Sequence, residues 1–95
     1  MQFEWDSQKD RANQAKHGID FRTAARVFED PDMLLIEDRI DDEGELRWHA
    51  LGLLAGAEPL IVVVHVYRET SDGEEIIRII SARKASKAEG LRYFE

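Results

Sequence analysis

The stretch from Arg78 to Ala85 holds the residues best suited to chemistry in this chain. A run of apolar, mostly β-branched residues ends there at Arg83 and Lys84, and such a run is typical of a buried strand. We expect the two cations at the end of a rigid strand, where fixed positive charge is well suited to holding a phosphate. The alternative is that Arg83 and Lys84 only mark the point where the strand leaves the core.

A second group of polar residues lies on one predicted face of an earlier strand. Alternate residues of a strand point to the same side, so Glu45, Arg47 and His49 share a face. Arg68 ends the next strand, and Arg78 lies in the last one. Several arginines on one small sheet can converge on one anion. An amphipathic strand of this kind is equally common on a solvated sheet that has no binding function.

Cations and weak acids of these types suit the cleavage of RNA at a phosphodiester. A base removes the proton of the 2′-hydroxyl, fixed cations stabilise charge on the phosphate oxygens, and an acid protonates the leaving oxygen. Glu45 or a histidine can transfer the protons, because histidine titrates near neutral pH. His49 is the best histidine candidate by its neighbours. His65, inside an apolar strand, is more typical of a core, and His17 is equally well placed to stabilise a helix end.

Size and composition exclude several classes of protein. Ninety-five residues suffice for one domain with a modest core, so we predict a single domain over residues 1–95. Cysteine is absent, which excludes thiol catalysis, disulfides and cysteine zinc sites. No histidine pair has metal-ligand spacing, so we predict neither a metal nor a cofactor. No signal peptide or membrane span is recognisable, which favours a cytoplasmic location.

The net charge of −7 is concentrated in one segment. Residues 29–45 hold nine acids and one base, whereas the other 78 residues hold 11 acids and 12 bases. A nearly neutral remainder can still carry a local basic site. We interpret the acidic segment as a solvated hairpin or as a surface for a basic partner. Direct operator binding by this chain alone is disfavoured by its charge and by the absence of a DNA-reading motif.

Helix signals dominate the first third of the chain, after a short strand predicted at residues 3–5. Asp6 is a good N-cap for a helix that ends at Gly18. Asp20 caps a second helix, whose apolar residues fall at i, i+3, i+4 and i+7, until Pro31 stops it.

The hydrophobic period then changes from helical to alternating. This predicts four strands, at residues 33–40, 45–54, 60–68 and 75–83. Two short turns and a loop at residues 55–59 connect them, so the strands form an antiparallel meander. A final helix follows, with Ser86 and Glu89 at capping-box spacing. The predicted class is α+β: a twisted antiparallel sheet, made of this meander and the short N-terminal strand, with two N-terminal helices and a C-terminal helix on one face.

Together these segments resemble the BrnT family of toxins from bacterial type II toxin–antitoxin systems. The resemblance runs nearly from end to end, and its specificity lies in the order and spacing of weak patterns. The residues that carry it are Phe3 to Asp6, Lys9, Asn13, Lys16 to Ile19, Phe21, Ala24, Val27, Phe28, Asp30, Pro31, Gly44, Glu45, Arg47, Gly52, Arg78 to Ala85, Glu89 and Tyr93.

The resemblance implies a RelE-like fold and a metal-independent endoribonuclease that inhibits translation and growth. It also implies neutralisation by a BrnA-type antitoxin, whose ribbon-helix-helix domain binds the operator, in a heterotetramer with two copies of each protein. The chain would then meet operator DNA only through the antitoxin. The site residues that the resemblance implies are Lys9, His17, Glu45, Arg47, Arg68, Arg83 and Tyr93.

Two functions follow from these observations. In the first, Arg47, Arg68 and Arg83 hold the scissile phosphate of an RNA substrate. Glu45 or a histidine then acts as the base, and Lys9 or His17 assists as the acid. In the second, the chain is a non-enzymatic module that binds another protein and acts only in complex with a DNA-binding partner.

Overall fold

The computed structural model describes residues 1–95, which build one five-stranded sheet. Its strands are β1 (Gln2–Glu4), β2 (Leu34–Ile40), β3 (Leu46–Leu54), β4 (Ala57–Glu69) and β5 (Glu75–Lys84). β2 to β5 form the predicted antiparallel meander, and β1 lies parallel to β5, so the order across the sheet is β1-β5-β4-β3-β2. The predicted α+β class, with the architecture of a small RelE-like domain, is confirmed.

Helix α1 (Ser7–His17) begins and ends where its capping residues predict. The Asp6 side chain accepts two backbone N–H groups of the first turn, and Gly18 ends the helix in the left-handed conformation. Asn13 fixes α1 beside β5, because its side chain donates to the Ala82 carbonyl at 2.9 Å and accepts from the Ala82 amide at 3.0 Å. β1 pairs only with the first part of β5, so Asn13 takes the place of a missing strand partner.

A second helical segment packs closely on β3. Helix α2 (Phe21–Ala25), capped by Asp20 as predicted, continues into a 3-10 helix (Arg26–Glu29). Gly52 permits this approach, since a Cβ atom there would lie 2.8 Å from Val27 Cγ1. A side chain at this position would therefore displace the 3-10 helix.

β4 begins earlier than the sequence predicts. Ala55 and Gly56 both have positive φ angles, of 53° and 74°, and form a two-residue turn between the paired residues Leu54 and Ala57. The loop predicted for residues 55–59 is therefore wrong for its last three residues, which belong to β4. A proline in this run argues against a strand at the level of sequence, and it hides the true start of β4.

The two faces of the sheet are covered differently. On the helix face, α2 and the 3-10 helix enclose the main core around Phe21, Val63 and Ile79, with α1 along the β5 edge. The opposite face, which we call the open face, is covered at one end by helix α3 (Lys87–Tyr93), which packs near Leu51. We expected all helices on one face, so the position of α3 differs from the prediction.

A β-bulge in β5 decides which arginines share the open face. The register between β4 and β5 skips Ile80, so this residue is an extra one in the strand. Arg78 and Arg83 are five positions apart and would point to opposite faces of a regular strand. The extra residue brings both to the open face, Arg78 opposite Val66 and Arg83 opposite Val62.

The C-terminal helix carries the predicted capping box. The Ser86 hydroxyl accepts the Glu89 amide at 3.2 Å, and the Glu89 carboxylate accepts the Ser86 amide at 2.8 Å. This prediction is confirmed. None of the three α-helices has the length and apolar character needed to cross a lipid bilayer.

Candidate functional site

Three arginines surround one buried valine on the open face. Arg78 of β5 pairs with Val66 of β4, and Arg47 of β3 lies beside Val66 on its other side, as the β3–β4 register requires. Arg68 follows Val66 two residues later on the same face of β4. Val66 is fully buried and forms an apolar floor between these cations. We call Arg47, Arg68 and Arg78 the arginine triad.

Arg68 is held by a two-point hydrogen bond. Its Nη2 and Nε groups donate to the two oxygens of Glu45 at 2.8 and 3.1 Å. This pairing lowers the pKa of Glu45 and raises the pKa of Arg68, so Glu45 is a carboxylate at neutral pH. The remaining nitrogen, Arg68 Nη1, donates no hydrogen bond to the protein and stays available to a ligand.

Glu4, the last residue of β1, lies between Arg68 and Arg78. Its Oε1 atom is 3.6 Å from Arg68 Nη1 and 3.5 Å from Arg78 Nη1, and neither contact meets hydrogen-bond geometry. Two guanidinium groups from neighbouring strands thus converge on one anionic oxygen.

Arg47 is paired with the turn between β2 and β3. Its Nε group donates to Asp41 at 3.2 Å. Asp41 also accepts the backbone amides of Glu45 and Glu43, and these hydrogen bonds, above all that from Glu45, lower its pKa. The acidic turn therefore fixes Arg47 together with the start of β3, while both Nη groups of Arg47 stay free of hydrogen bonds to the protein.

His49 is the one histidine on the same face of the sheet as the arginine triad, since His65 points to the helix face. It lies two residues after Arg47 on β3 and points to the same open face. It pairs with Val64, so its position is between the triad and Arg83. The Nε2 atom is 3.4 Å from the Asp38 carboxylate of β2. The carboxylate orients the ring, and an imidazole oriented in this way is a candidate for general acid–base catalysis.

Arg83 lies apart from the triad, opposite Val62, which is about 13 Å from Val66 at the rise of a β-strand. Its Nη1 and Nη2 groups donate to the two oxygens of Glu89 at 2.8 and 3.0 Å. This bidentate pairing, aided by the hydrogen bond from the Ser86 amide, lowers the pKa of Glu89 to about 2. Arg83 therefore links the end of β5 to the first turn of α3.

Lys9 lies at the rim of the triad, on the side of β1. It is an exposed residue of the first turn of α1. The backbone amides of Lys9 and Gln8 are the main causes of the lowered pKa of Asp6, and the charges of Lys9 and Arg78 add to them. Asp6 is thus within electrostatic reach of both cations, although Lys9 contacts none of the triad.

His17 lies at the other end of α1, away from the triad. Together with Lys84 and Asp20 it lines a cavity of about 450 Å³ on the helix face. Lys84 follows Arg83 in sequence, but adjacent strand residues point to opposite faces of a sheet. Arg83 and Lys84 therefore lie at the end of β5, where the sequence predicts them, but on opposite faces of the sheet.

Tyr93 anchors α3 to Asp30, the residue that ends the 3-10 helix. Its hydroxyl donates to Asp30, which also accepts the backbone amides of Leu53 and Asp32 at 2.8 Å. Burial opposes the ionisation of Asp30, but the hydrogen bonds outweigh it and the pKa falls below its usual value. Burial and the same contact raise the pKa of Tyr93 to about 12. The hydroxyl is therefore protonated and occupied at neutral pH.

His65 is a core residue, as predicted. It is fully buried between Phe28 and Tyr67, and its Nδ1 atom is bonded to the Val63 carbonyl at 3.0 Å. Burial lowers its pKa, so the ring is neutral at physiological pH. The Nε2 atom has no partner, which differs from the fully satisfied ring that the sequence predicts. His65 is inaccessible to a substrate on the open face.

Three of the seven predicted site residues come together on the open face, namely Glu45, Arg47 and Arg68. Sequence reasoning left two residues of this cluster, Arg78 and Glu4, outside the predicted site. The signal for Arg78 was its position among isoleucines, because a charged residue enters such a strand only when it faces solvent or a partner. No group of three or more metal-ligating side chains is gathered anywhere in the chain.

A cluster of paired arginines beside carboxylates and a histidine can bind a phosphodiester and move protons around it. A comparison with curated proteins gave no match. A family model described as ribonuclease toxin, BrnT, of type II toxin-antitoxin system matches residues 5–89 of the chain. The matched residues include the triad, its acidic partners Asp41 and Glu45 in the turn before β3, and the Arg83–Glu89 pair. The chain therefore belongs to the BrnT family of ribonuclease toxins of type II toxin–antitoxin systems.

Proposed function

We propose that this toxin is an endoribonuclease that cuts RNA on the open face of its sheet. The observation that carries the proposal is the arginine triad around Val66, which offers unoccupied guanidinium donors from three adjacent strands. Arginine binds phosphate through two parallel N–H groups, and its charge persists at all physiological pH values. The open face therefore presents a site for one RNA phosphate. Cleavage of RNA at this site would inhibit translation, because the RNA is lost.

The proposed reaction is an internal attack by the ribose. A base takes the proton of the 2′-hydroxyl, the 2′-oxygen bonds to phosphorus, and the bond to the 5′-oxygen breaks as an acid protonates that oxygen. The products are a 2′,3′-cyclic phosphate and a 5′-hydroxyl. Arg47 and Arg68 stabilise the negative charge that grows on the phosphate oxygens. Because arginines supply this charge, we propose that cleavage needs no metal ion.

Two groups on the open face can act as the base. Glu45 is ionised and lies beside Arg68, but its lowered pKa makes it a weak proton acceptor. His49 lies two residues beyond Arg47 and is oriented by Asp38. A pH profile of cleavage distinguishes the two bases. With a histidine base, activity increases as the pH rises through the near-neutral range, whereas with a carboxylate base the increase occurs at acid pH and is complete before neutrality.

The remaining predicted residues have supporting roles in this proposal. Lys9, at the rim beside β1, assists as the acid or attracts the RNA. His17, Arg83 and Tyr93 contact the RNA only if the bound RNA extends beyond the triad. For Arg83 this requires that its ion pair with Glu89 opens.

The antitoxin partner is proposed to be a BrnA-type protein with a ribbon-helix-helix domain. Two copies of each protein would form the complex, and the toxin would reach operator DNA only through the antitoxin. In the cytoplasm, release from this complex would expose the triad to RNA. Co-purification with the product of a neighbouring short gene, followed by measurement of the mass of the complex, tests the partner and the stoichiometry.

Expression of the chain without its antitoxin tests the function. We expect growth arrest and shortened bulk RNA from the unaltered chain, and neither effect from the Arg47→Ala, Arg68→Ala double variant. Arg22→Ala, an exposed change on α2, is the matched control and should remain toxic. The purified chain should cut RNA in the presence of EDTA. Intact RNA alongside folded, unaltered protein would refute the proposal.

A further inference from the structure

We infer that Arg78 completes the phosphate site of the triad, and that Glu4 occupies this site until RNA displaces it. The inference rests on the proposed function, because it names further groups that hold the RNA phosphate. It concerns Arg78 and Glu4, neither of which is among the seven site residues predicted from the sequence.

Arg78 donates no hydrogen bond to the protein, in contrast to Arg47, Arg68 and Arg83. Arg68 gives two to Glu45, Arg83 gives two to Glu89, and Arg47 gives one to Asp41. The Arg78 side chain is only 26% exposed, so it is partly removed from water, and its one ion pair is the 3.5 Å contact with Glu4, which is not a hydrogen bond. Buried or half-buried guanidinium donors are normally hydrogen-bonded, and a ligand phosphate would satisfy those of Arg78.

Glu4 marks the position that the phosphate would take. One of its oxygens lies 3.6 Å from Arg68 and 3.5 Å from Arg78, between two donors that are otherwise free. A phosphodiester carries one negative charge, as a carboxylate does. Exchange of Glu4 for a phosphate oxygen would thus preserve the charge balance of the cluster while adding hydrogen bonds that Glu4 does not make.

Displacement of Glu4 is feasible because the carboxylate is not fixed. Its side chain is 38% exposed, its contacts with both arginines exceed hydrogen-bond length, and β1 ends at this residue. Exposed ion pairs of this length contribute little to folding free energy. Glu45, in contrast, is bound to Arg68 at two points and would remain in place.

A binding experiment tests both residues without requiring cleavage. The probe is a fluorescein-labelled single-stranded RNA with 2′-O-methyl groups, which lacks the attacking hydroxyl. Fluorescence anisotropy across a range of salt concentrations gives the affinity and its salt dependence for the full chain. The variants are Arg78→Ala, Arg78→Lys and Glu4→Gln. The matched controls are Arg22→Ala for the arginine variants and Glu58→Gln for Glu4→Gln. Both make the same change in charge at exposed positions away from the triad.

We expect Arg78→Ala to weaken binding roughly tenfold, because a charge-assisted hydrogen bond to the phosphate is lost. Its plot of log affinity against log salt should become shallower by about 0.7, the value for one contact with single-stranded nucleic acid. Arg78→Lys should be intermediate, because lysine keeps the charge but not the planar fork. Glu4→Gln should bind more tightly than Glu58→Gln, and this gain should shrink in an Arg78→Ala background.

The inference is overturned if Arg78→Ala binds as Arg22→Ala does, or if Glu4→Gln binds as Glu58→Gln does. Unaltered chain that binds the probe but leaves unmodified RNA intact would refute the nuclease and leave the phosphate site standing. If the unaltered chain cleaves RNA and the Arg78→Ala variant cleaves it with the same KM, only the inference is refuted. A chain that binds no RNA refutes both.

Discussion

The two ends of the open face use the same residue type in different ways. At the triad end, Arg47, Arg68 and Arg78 retain unoccupied donors, and their acidic partners are turn or edge residues. At the other end, Arg83 gives both Nη groups to Glu89, which is itself held in a capping box. Arg68 also gives two hydrogen bonds to one carboxylate, but it uses Nε and one Nη group and keeps the other Nη group free, whereas Arg83 uses both Nη groups. A free Nη group, rather than charge or strand position, therefore distinguishes an arginine that can bind a ligand from one that holds a helix.

The largest expected effect comes from Arg68→Ala at the triad end. We predict a fall in kcat/KM for RNA cleavage of about 100-fold or more, as for the loss of a group that stabilises transition-state charge. The free energy of unfolding should fall by about 1 kcal/mol, because the side chains in the Arg68 ion pairs are partly exposed to solvent. Cleavage assays and urea unfolding of the same preparations measure the two effects. An unchanged kcat/KM would show that the triad end does not hold the reacting phosphate.

Arg83→Ala should show the opposite balance. Loss of the bidentate contact with Glu89 should lower the free energy of unfolding by about 1–2 kcal/mol, a value reduced for the one-third exposure of Arg83. Its effect on cleavage should be smaller than that of Arg68→Ala. Glu89→Gln should cost a similar stability, and the two changes should not be additive. Stability equal to that of the unaltered chain, with toxicity abolished, would instead make Arg83 part of the phosphate site.

Local signals explain which parts of the fold were predictable. The bounds of α1 follow from Asp6 and Gly18, and the start of α3 follows from Ser86 and Glu89, because caps act within one turn. The meander follows from short turns between apolar runs. In these cases the residues that determine the structure are neighbours in sequence.

The faces of β5 depend on a partner strand, and they were not predictable in this way. The extra residue, Ile80, appears only when β4 is laid beside β5, and it alone puts Arg78 and Arg83 on the same face. Residue types at the site were predictable, since arginines on a small sheet suit phosphate. The position of Glu4 was not, because Glu4 and Arg78 are separated by 73 intervening residues and meet through the parallel pairing of β1.

Acid should weaken the Arg83 end of the open face. The pKa of Glu89 is about 2 in the folded chain and near 4.5 when unfolded. Because the folded value is depressed, the contribution of Glu89 is complete above pH 4.5 and is lost as the pH falls towards 2. We predict that this contribution is about 1–2 kcal/mol, after allowance for solvent screening. Urea unfolding between pH 2 and 6 should therefore show a smaller pH dependence in Glu89→Gln than in the unaltered chain.

Tyr93→Phe should have the smallest effect on stability and cleavage, and it tests whether α3 contributes to RNA binding. The Tyr93 hydroxyl donates to Asp30, and its removal should lower the free energy of unfolding by about 1 kcal/mol. Part of the stabilisation remains, because Asp30 keeps the amides of Leu53 and Asp32. If Tyr93 also contacts RNA beyond the triad, KM should rise while kcat holds, since the hydroxyl lies far along the sheet from the reacting phosphate. A fall in kcat in fully folded protein would place the hydroxyl at the chemical step, and the separation of the two ends of the open face would no longer hold.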